Sequence, residues 1–186
     1  MSISAPQMPL EIEKKYRIDA EVRESIVRRL RKTDARFQGE DLEENIIYGG
    51  GPLSAEASIL RLRSVDGLTL LTYKRRMPGS DDIKTQIEFE TRVSDAAATK
   101  DILTALGFAP VLIYEKRRSK WHLGEVELVM DELPFGLFME IEGSAEMIRR
   151  TEAELGIEDL ECIHETYPEL TARFGKKVGN RFEARF

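Results

Sequence analysis

The chain has 186 residues, of which 41% are apolar and 33% charged, and its 28 basic and 34 acidic residues leave a net charge of −6. This composition indicates a globular protein with a core, and the negative charge argues against a basic nucleic-acid surface, so we expect no DNA partner. No apolar run approaches the roughly 20 residues of a membrane span, and Met1–Leu10 contain no signal-peptide core. We therefore expect no membrane partner and a cytoplasmic location. The lone Cys162 excludes an internal disulfide framework.

Strand-like alternation dominates the first half of the chain. We predict strands, in chain order, over Pro9–Ile18, Phe37–Tyr48, Ser58–Val65, Leu68–Met77 and Ile83–Thr91. Asp19 is suited to cap a helix that continues to about Lys32. Asp66–Gly67 is the strongest hairpin signal in the chain, and Gly49–Pro52 and Pro78–Asp82 are predicted loops.

The second half begins with a helix and continues as a series of strands. Ser94 is expected to cap this helix, which runs to Leu106. Three strands follow, over Pro110–Leu123, Glu125–Glu132 and Leu137–Gly143. Ser144 is expected to cap a third helix that ends at Gly156, and Tyr167–Phe174 predicts a weaker helical stretch.

The order of these elements predicts the architecture. Strands that are joined by tight turns pair antiparallel, and eight of them can close into a barrel that has no exposed edge. We therefore predict an α+β fold, in which an eight-stranded closed antiparallel β-barrel, or tunnel, carries flanking α-helices. The chain length fits a single domain over residues 1–186.

Charged side chains recur at every second position of several predicted strands, and such positions share one face. The basic members are Lys15, Arg61, Arg63, Lys74, Lys116 and Arg118, and the acidic members are Glu11, Glu13, Glu88, Glu90, Asp131, Glu140 and Glu142. One charged–apolar–charged triplet is typical of a solvated strand face. Here the signs are sorted by segment, and like charges at this spacing require opposite partners nearby. We therefore predict that these charges point into the barrel. The intervening residues that would point outward into apolar packing are Ile12, Leu62, Phe89 and Ile141.

Buried charges of both signs indicate a ligand that itself carries both signs. Clustered cations favour an anion with several negative groups, because Arg grips phosphate oxygens with a planar fork and Lys adds a point charge. Clustered carboxylates favour a hard divalent cation, Mg²⁺ or Mn²⁺. A metal-bound polyphosphate satisfies both requirements at once.

The ordered motifs resemble those of the CYTH superfamily, also called triphosphate tunnel metalloenzymes. Glu11–Lys15 matches the ExExK motif of that family. The match continues in chain order through Arg61–Arg63, Lys74, Glu88–Glu90, Lys116–Arg118, Asp131, Glu140–Gly143 and Thr166–Tyr167. The resemblance covers Pro9 to about Leu170 and implies a tunnel that binds triphosphates with Mg²⁺ or Mn²⁺. Activities in the family include inorganic triphosphatase, thiamine-triphosphatase, RNA triphosphatase and class IV adenylate cyclase.

From the residues and the resemblance we predict a divalent-metal-dependent triphosphatase that cleaves the terminal phosphoanhydride of a small triphosphate. Tripolyphosphate is the first expected substrate, ahead of ATP and thiamine triphosphate. The phosphate-binding residues would be Lys15, Arg61, Arg63, Lys74, Lys116 and Arg118, and the metal ligands Glu11, Glu13, Asp131, Glu140 and Glu142. The catalytic residues would be Lys15, Glu88 and Glu90, of which the two glutamates either complete a second metal site or orient the attacking water.

Two other functions stay open. A class IV-type adenylate cyclase would use the same tunnel to convert ATP to cyclic AMP, although the resemblance implies a small apolar residue in such cyclases where this chain has Glu142. A non-catalytic polyphosphate-binding module would need the cations but not the full set of acids. The oligomeric state also stays open, and a homodimer is one of the assemblies that the sequence allows.

Overall fold

A computed structural model describes residues 10–53, 58–78 and 83–186. The predicted strand start at Pro9 and residues 79–82 of the predicted loop lie outside these ranges. The strands are β1 (Leu10–Ile18), β2 (Arg36–Gly49), β3 (Ser58–Val65), β4 (Leu68–Arg76), β5 (Lys84–Arg92), β6 (Ala109–Leu123), β7 (Val126–Leu133), β8 (Gly136–Glu142), β9 (Lys176–Val178) and β10 (Arg181–Ala184). The helices are α1 (Ala20–Leu30), α2 (Ala96–Ala105), α3 (Ala145–Leu155) and α4 (Tyr167–Phe174).

Strands β1 to β8 close into one antiparallel barrel, in the order β2-β3-β4-β5-β1-β8-β7-β6, with β2 paired to β6 to complete the ring. The β3–β4 hairpin turns at Asp66 and Gly67, whose φ angles of 48° and 73° are both positive, as a two-residue hairpin turn of this type requires. The predicted fold class is therefore confirmed. The eight predicted strands agree with the observed ones to within one residue at each end that the structure describes.

Strands β9 and β10 were not predicted. β10 runs parallel to β6, with Phe182 opposite Leu112 and Ala184 opposite Tyr114. It covers the part of the β6 edge that β7 does not reach, because β7 pairs with β6 only over residues 117–123. The two strands have only three and four residues, so they are too short for alternation to reveal them. The Gly179–Asn180 pair between them is a two-residue hairpin signal from which the two strands could have been predicted.

The helices begin at side chains that cap them. Asp19 accepts a hydrogen bond from the backbone N of Val22, and Ser144 one from Met147, as the sequence predicts. The predicted cap of α2 at Ser94 is wrong, because Asp95 accepts from Ala98 instead. A carboxylate at that position also interacts favourably with the positive end of the helix dipole. None of the helices in the described ranges has the length and apolar character needed to cross a membrane.

Most of the apolar core lies outside the barrel, between its outer face and the helices. The interior is mainly charged, and Ile47, Ile59 and Tyr114 of one apolar cluster also line the tunnel. Leu62 and Ile141 are buried in this outer core and Ile12 packs against it, as predicted. Phe89 also points outward, but it is 52% exposed and contacts the ring of Tyr73 at 6.3 Å between centroids. The expectation of apolar packing around Phe89 is therefore wrong, because about half of its side chain is exposed and its ring contact is with Tyr73 at the margin of a buried cluster.

Candidate active site

The inner wall of the barrel forms a charged tunnel. Every residue that the sequence analysis assigned to the site lines this tunnel, with the exception of Asp131. The strand positions explain this arrangement, because residues two apart on each strand share the inner face. The tunnel holds about 240 Å³ of free space. That is less than the roughly 300–1,000 Å³ of common ligand pockets, so the tunnel suits a compact ligand.

Cations from β1 and β6 meet the carboxylate of Glu140 on β8. The Nζ atom of Lys15 lies 3.2 Å from one oxygen of Glu140, and a guanidinium nitrogen of Arg118 lies 2.7 Å from the other. Burial opposes ionisation of Glu140, but the cations, led by Lys15 and Arg118, outweigh it and hold its pKa well below the usual value. Burial and the adjacent Arg118 lower the pKa of Lys116 to about 8. The cations at the centre of the tunnel are therefore closely paired with buried acids, of which Glu140 is one.

Asp131 lies behind these cations, and its side chain is fully buried. Its carboxylate accepts hydrogen bonds from Nε of Arg118 at 2.7 Å, from the hydroxyl of Tyr167 at 2.7 Å and from Nζ of Lys116 at 3.4 Å. Both oxygens are engaged by these contacts. These contacts show that Asp131 holds Arg118, and its predicted role as a metal ligand stays a prediction.

The cations of β3 and β4 are also paired with acids. Lys74 lies opposite Glu88 in the register of β4 and β5, and its Nζ is 3.1 Å from that carboxylate and in hydrogen-bond contact with Glu11. Arg63 donates to Glu90 at 3.0 Å, and Arg61 lies 3.6 Å from the same group. An anion that enters the tunnel must therefore compete with carboxylates for these cations.

One end of the tunnel carries an excess of acids. Glu142 on β8 is the direct cross-strand partner of Glu13 on β1 and of Glu127 on β7. Burial, together with the nearby Glu11 and Glu127, raises the pKa of Glu142 to about 7. Burial and the charge of Glu140 likewise raise the pKa of Glu13. We refer to Glu13, Glu127 and Glu142 as the acid row.

The acid row fits a divalent cation in both donor type and charge. Carboxylate oxygens are the ligands that Mg²⁺ and Mn²⁺ prefer, and a cation would relieve the repulsion that raises these pKa values. Within residues 10–53, 58–78 and 83–186, no three acidic, His or Cys side chains are already gathered closely enough to hold an ion. Mg²⁺ commonly takes only one or two carboxylates and completes its shell with water and substrate phosphates.

Several charged residues on the inner face of the barrel were missed in the sequence analysis. Lys120 and Glu127 line the tunnel, and simple alternation from Arg118 and Asp131 would have found both. Glu43, buried on the inner face of β2, lies in a run of four acids within five residues that shows no clear alternation. A register shift between Phe37 and Gly39, where β2 pairs with β6, adds to this ambiguity.

Several solved structures have a fold similar to that of this chain. The PH1819 protein of Pyrococcus horikoshii OT3 is 27% identical, with 88% of this chain and 98% of that chain covered and a TM-score of 0.74. A candidate adenylate cyclase from Vibrio parahaemolyticus is 20% identical, with 89% and 99% covered and a TM-score of 0.70. The candidate adenylyl cyclase HpAC1 from Hippeastrum is 19% identical, with 92% and 99% covered and a TM-score of 0.67.

No curated protein matches the chain. The CYTH domain model matches residues 9–167, which is most of the sequence and includes every barrel strand. The chain therefore belongs to the CYTH domain family.

Proposed function

We propose that the protein hydrolyses the terminal phosphoanhydride of a small triphosphate in a reaction that requires Mg²⁺ or Mn²⁺, with tripolyphosphate as the preferred substrate. The observation that carries this proposal is the separation of charge inside one tunnel. Cations line the centre, and the acid row stands at one end, where Lys84 lies 3.8 Å from Glu13 and where burial and neighbouring carboxylates raise the pKa of Glu142 to about 7. A triphosphate would place its negative charge against the cations of the centre. A divalent cation bound with it would place positive charge against the acid row.

Substrate binding is assigned to six of the cations that line the tunnel, which are Lys15, Arg61, Arg63, Lys74, Lys116 and Arg118. Each of these six groups lies between 2.5 and 3.6 Å from a carboxylate oxygen. Phosphate oxygens can replace these carboxylates because they accept the same charge-assisted hydrogen bonds. The cations are thus already directed to the tunnel before the substrate arrives.

Catalysis of phosphoryl transfer depends mainly on positioning and on stabilising charge. In the proposed reaction a bond forms between a water oxygen and the terminal phosphorus, the bridging P–O bond breaks, pyrophosphate leaves with the bonding electrons, and the proton of the attacking water is released to solvent. Lys15 would donate to phosphate oxygens as charge builds up on them. Glu88 and Glu90 line the tunnel beside Lys74 and Arg63 and are the proposed groups that orient the attacking water.

Glu11, Glu13, Glu140 and Glu142 are the proposed set from which a divalent cation would take its one or two carboxylate ligands, and Glu127 joins this set because it completes the acid row. When bound, that cation supplies positive charge beside the phosphate oxygens and the attacking water. Asp131 is assigned to holding Arg118, for the geometric reason given above.

A relative with this fold supports hydrolysis as the reaction. The Hippeastrum protein, although named as a candidate adenylyl cyclase, is described as having a dominant triphosphatase activity. The test is to incubate the purified protein with tripolyphosphate, ATP or thiamine triphosphate and with Mg²⁺ or Mn²⁺, and to measure phosphate and cyclic AMP. Phosphate release from tripolyphosphate at the highest rate is the expected outcome. A protein that binds tripolyphosphate and releases neither product would be a binding module and not an enzyme.

A further inference from the structure

Glu43 is a buried acid that the motifs of the family resemblance do not include. It lies on the inner face of β2, and only 1% of its surface is exposed. In the sheet register it stands opposite Lys116 of β6. One of its oxygens lies 3.4 Å from Nζ of Lys116, and the other lies 3.6 Å from a guanidinium nitrogen of Arg63 on β3. Glu43 therefore bridges the two strands that flank β2.

The charges that act most strongly on Glu43 are cationic. Burial opposes its ionisation, but the charges of Lys116, Arg118 and other arginines outweigh burial and keep its pKa far below the usual value. Neither of its oxygens accepts a hydrogen bond from the part of the chain that the structure describes. The charge of Glu43 is thus held by ion pairs alone, at distances slightly longer than a hydrogen bond.

Glu43 does not line the tunnel, whereas both of its partners do. A carboxylate in this position would repel a phosphate group, so direct contact with the substrate is unfavourable. Its effect on the substrate must therefore pass through Lys116 and Arg63. Long cationic side chains lose considerable conformational freedom when they are held in one geometry, and a fixed counter-charge behind them supplies that restraint.

We propose that Glu43 is a positioning residue, a buried counter-charge that holds Lys116 and Arg63 where they act on the phosphate chain. It also lowers the net positive charge of the tunnel and so limits how tightly the ground state of the substrate binds. This role rests on the proposed function for its kinetic consequences. Its electrostatic consequence, weaker anion binding than the cations alone would give, does not require catalysis.

The test compares Glu43→Gln with the wild-type full-length protein, since the amide keeps the shape and removes the charge. With tripolyphosphate and Mg²⁺ we expect kcat to fall roughly ten- to hundredfold, because small errors in the placement of catalytic groups have effects of this size. Calorimetric binding of tripolyphosphate in excess chelator should become tighter, because one negative charge has left the cation cluster. A purely structural role would lower the melting temperature without tightening anion binding.

The matched control is Glu44→Gln, the adjacent residue on β2, which faces outward and pairs with Arg185 at the surface. This variant should keep wild-type kcat and affinity. Unchanged kcat in Glu43→Gln, or weaker binding of tripolyphosphate in chelator, would overturn the inference. If the amide variant does not fold, Glu43→Asp replaces it, since the shorter side chain keeps the charge but withdraws from both partners. A wild-type kcat in Glu43→Asp would then overturn the inference.

The two proposals fail in different ways. A wild-type protein that releases no phosphate from tripolyphosphate contradicts the proposed function. The affinity of Glu43→Gln for tripolyphosphate in chelator then decides the role of Glu43 alone, with tighter binding in its favour and weaker binding against it.

Discussion

Glu13 on β1 and Glu142 on β8 are direct cross-strand partners, and both side chains line the tunnel. Opposite charges in such a pair stabilise a sheet by about 0.2–1 kcal/mol, and like charges directly opposite each other destabilise it. Glu127, on the other side of Glu142, extends the repulsion across a third strand. The acid row is therefore a place where stability and the proposed function oppose each other.

Removing one charge from the acid row should raise the stability of the fold and lower the activity. In Glu142→Gln we expect the melting temperature in chelator to rise by roughly 1–4 °C, because the repulsion is relieved. Activity toward tripolyphosphate should fall roughly a hundredfold or more, because a carboxylate that would bind the divalent cation is lost. Thermal unfolding and phosphate release are the measurements. Glu125→Gln, in the exposed turn before β7, is the control and should change neither. A less stable Glu142→Gln with normal activity would contradict both expectations.

The alternation of charged residues predicted most of this site, because strand geometry alone places residues two apart on one face. Lys15, Arg61 and Arg118 could be placed inside the barrel in this way. The partners of each charge could not, since they depend on how the barrel closes and on the register between strands. Asp131 shows this limit, because its carboxylate accepts a hydrogen bond from the hydroxyl of Tyr167, which lies 36 residues further along the chain. Glu43 was missed for a similar reason, because the face of β2 is ambiguous without its pairing to β6.

The contact between Tyr167 and Asp131 should matter for both stability and activity. The Tyr167 hydroxyl is buried, and burial together with the charge of Asp131 raises its pKa, so it remains a hydrogen-bond donor. Tyr167→Phe removes this donor and should destabilise the fold by about 1.5–3 kcal/mol, the value of a hydrogen bond to a charged group. The affinity for tripolyphosphate should weaken as well, because Asp131 then holds Arg118 less firmly. Denaturant unfolding and calorimetric binding measure the two effects. An unchanged unfolding free energy would show that the contact is not formed in solution.

Activity should depend on a divalent cation. Excess chelator should abolish phosphate release, and added Mg²⁺ or Mn²⁺ should restore it, because the acid row lacks the positive charge that such an ion supplies. The melting temperature in chelator serves as the control, since the barrel should remain folded without metal. Full activity in excess chelator would refute the proposed role of Glu13 and Glu142.

Tripolyphosphate should stabilise the folded protein. A ligand at 100 times its Kd adds about 2.7 kcal/mol, which corresponds to roughly 5–11 °C in melting temperature for a chain of this size. Sulfate and phosphate should give smaller shifts, because they offer fewer negative groups to the cations. Arg61→Gln should reduce the shift. The absence of any shift at millimolar tripolyphosphate would argue against an anion site in the tunnel.

The hydrolase proposal is tested most directly by the products formed from two substrates under the same conditions. With Mn²⁺, we expect phosphate release from tripolyphosphate to be faster than any reaction of ATP, and phosphate to exceed cyclic AMP when ATP is supplied. Glu142 is the reason, since a carboxylate at this position adds cation-binding capacity where a cyclase needs room for the ribose hydroxyl. Glu142→Ala should therefore lose hydrolysis. Cyclic AMP as the dominant product from ATP, with tripolyphosphate acting only as an inhibitor and Glu142→Ala retaining activity, would contradict the account.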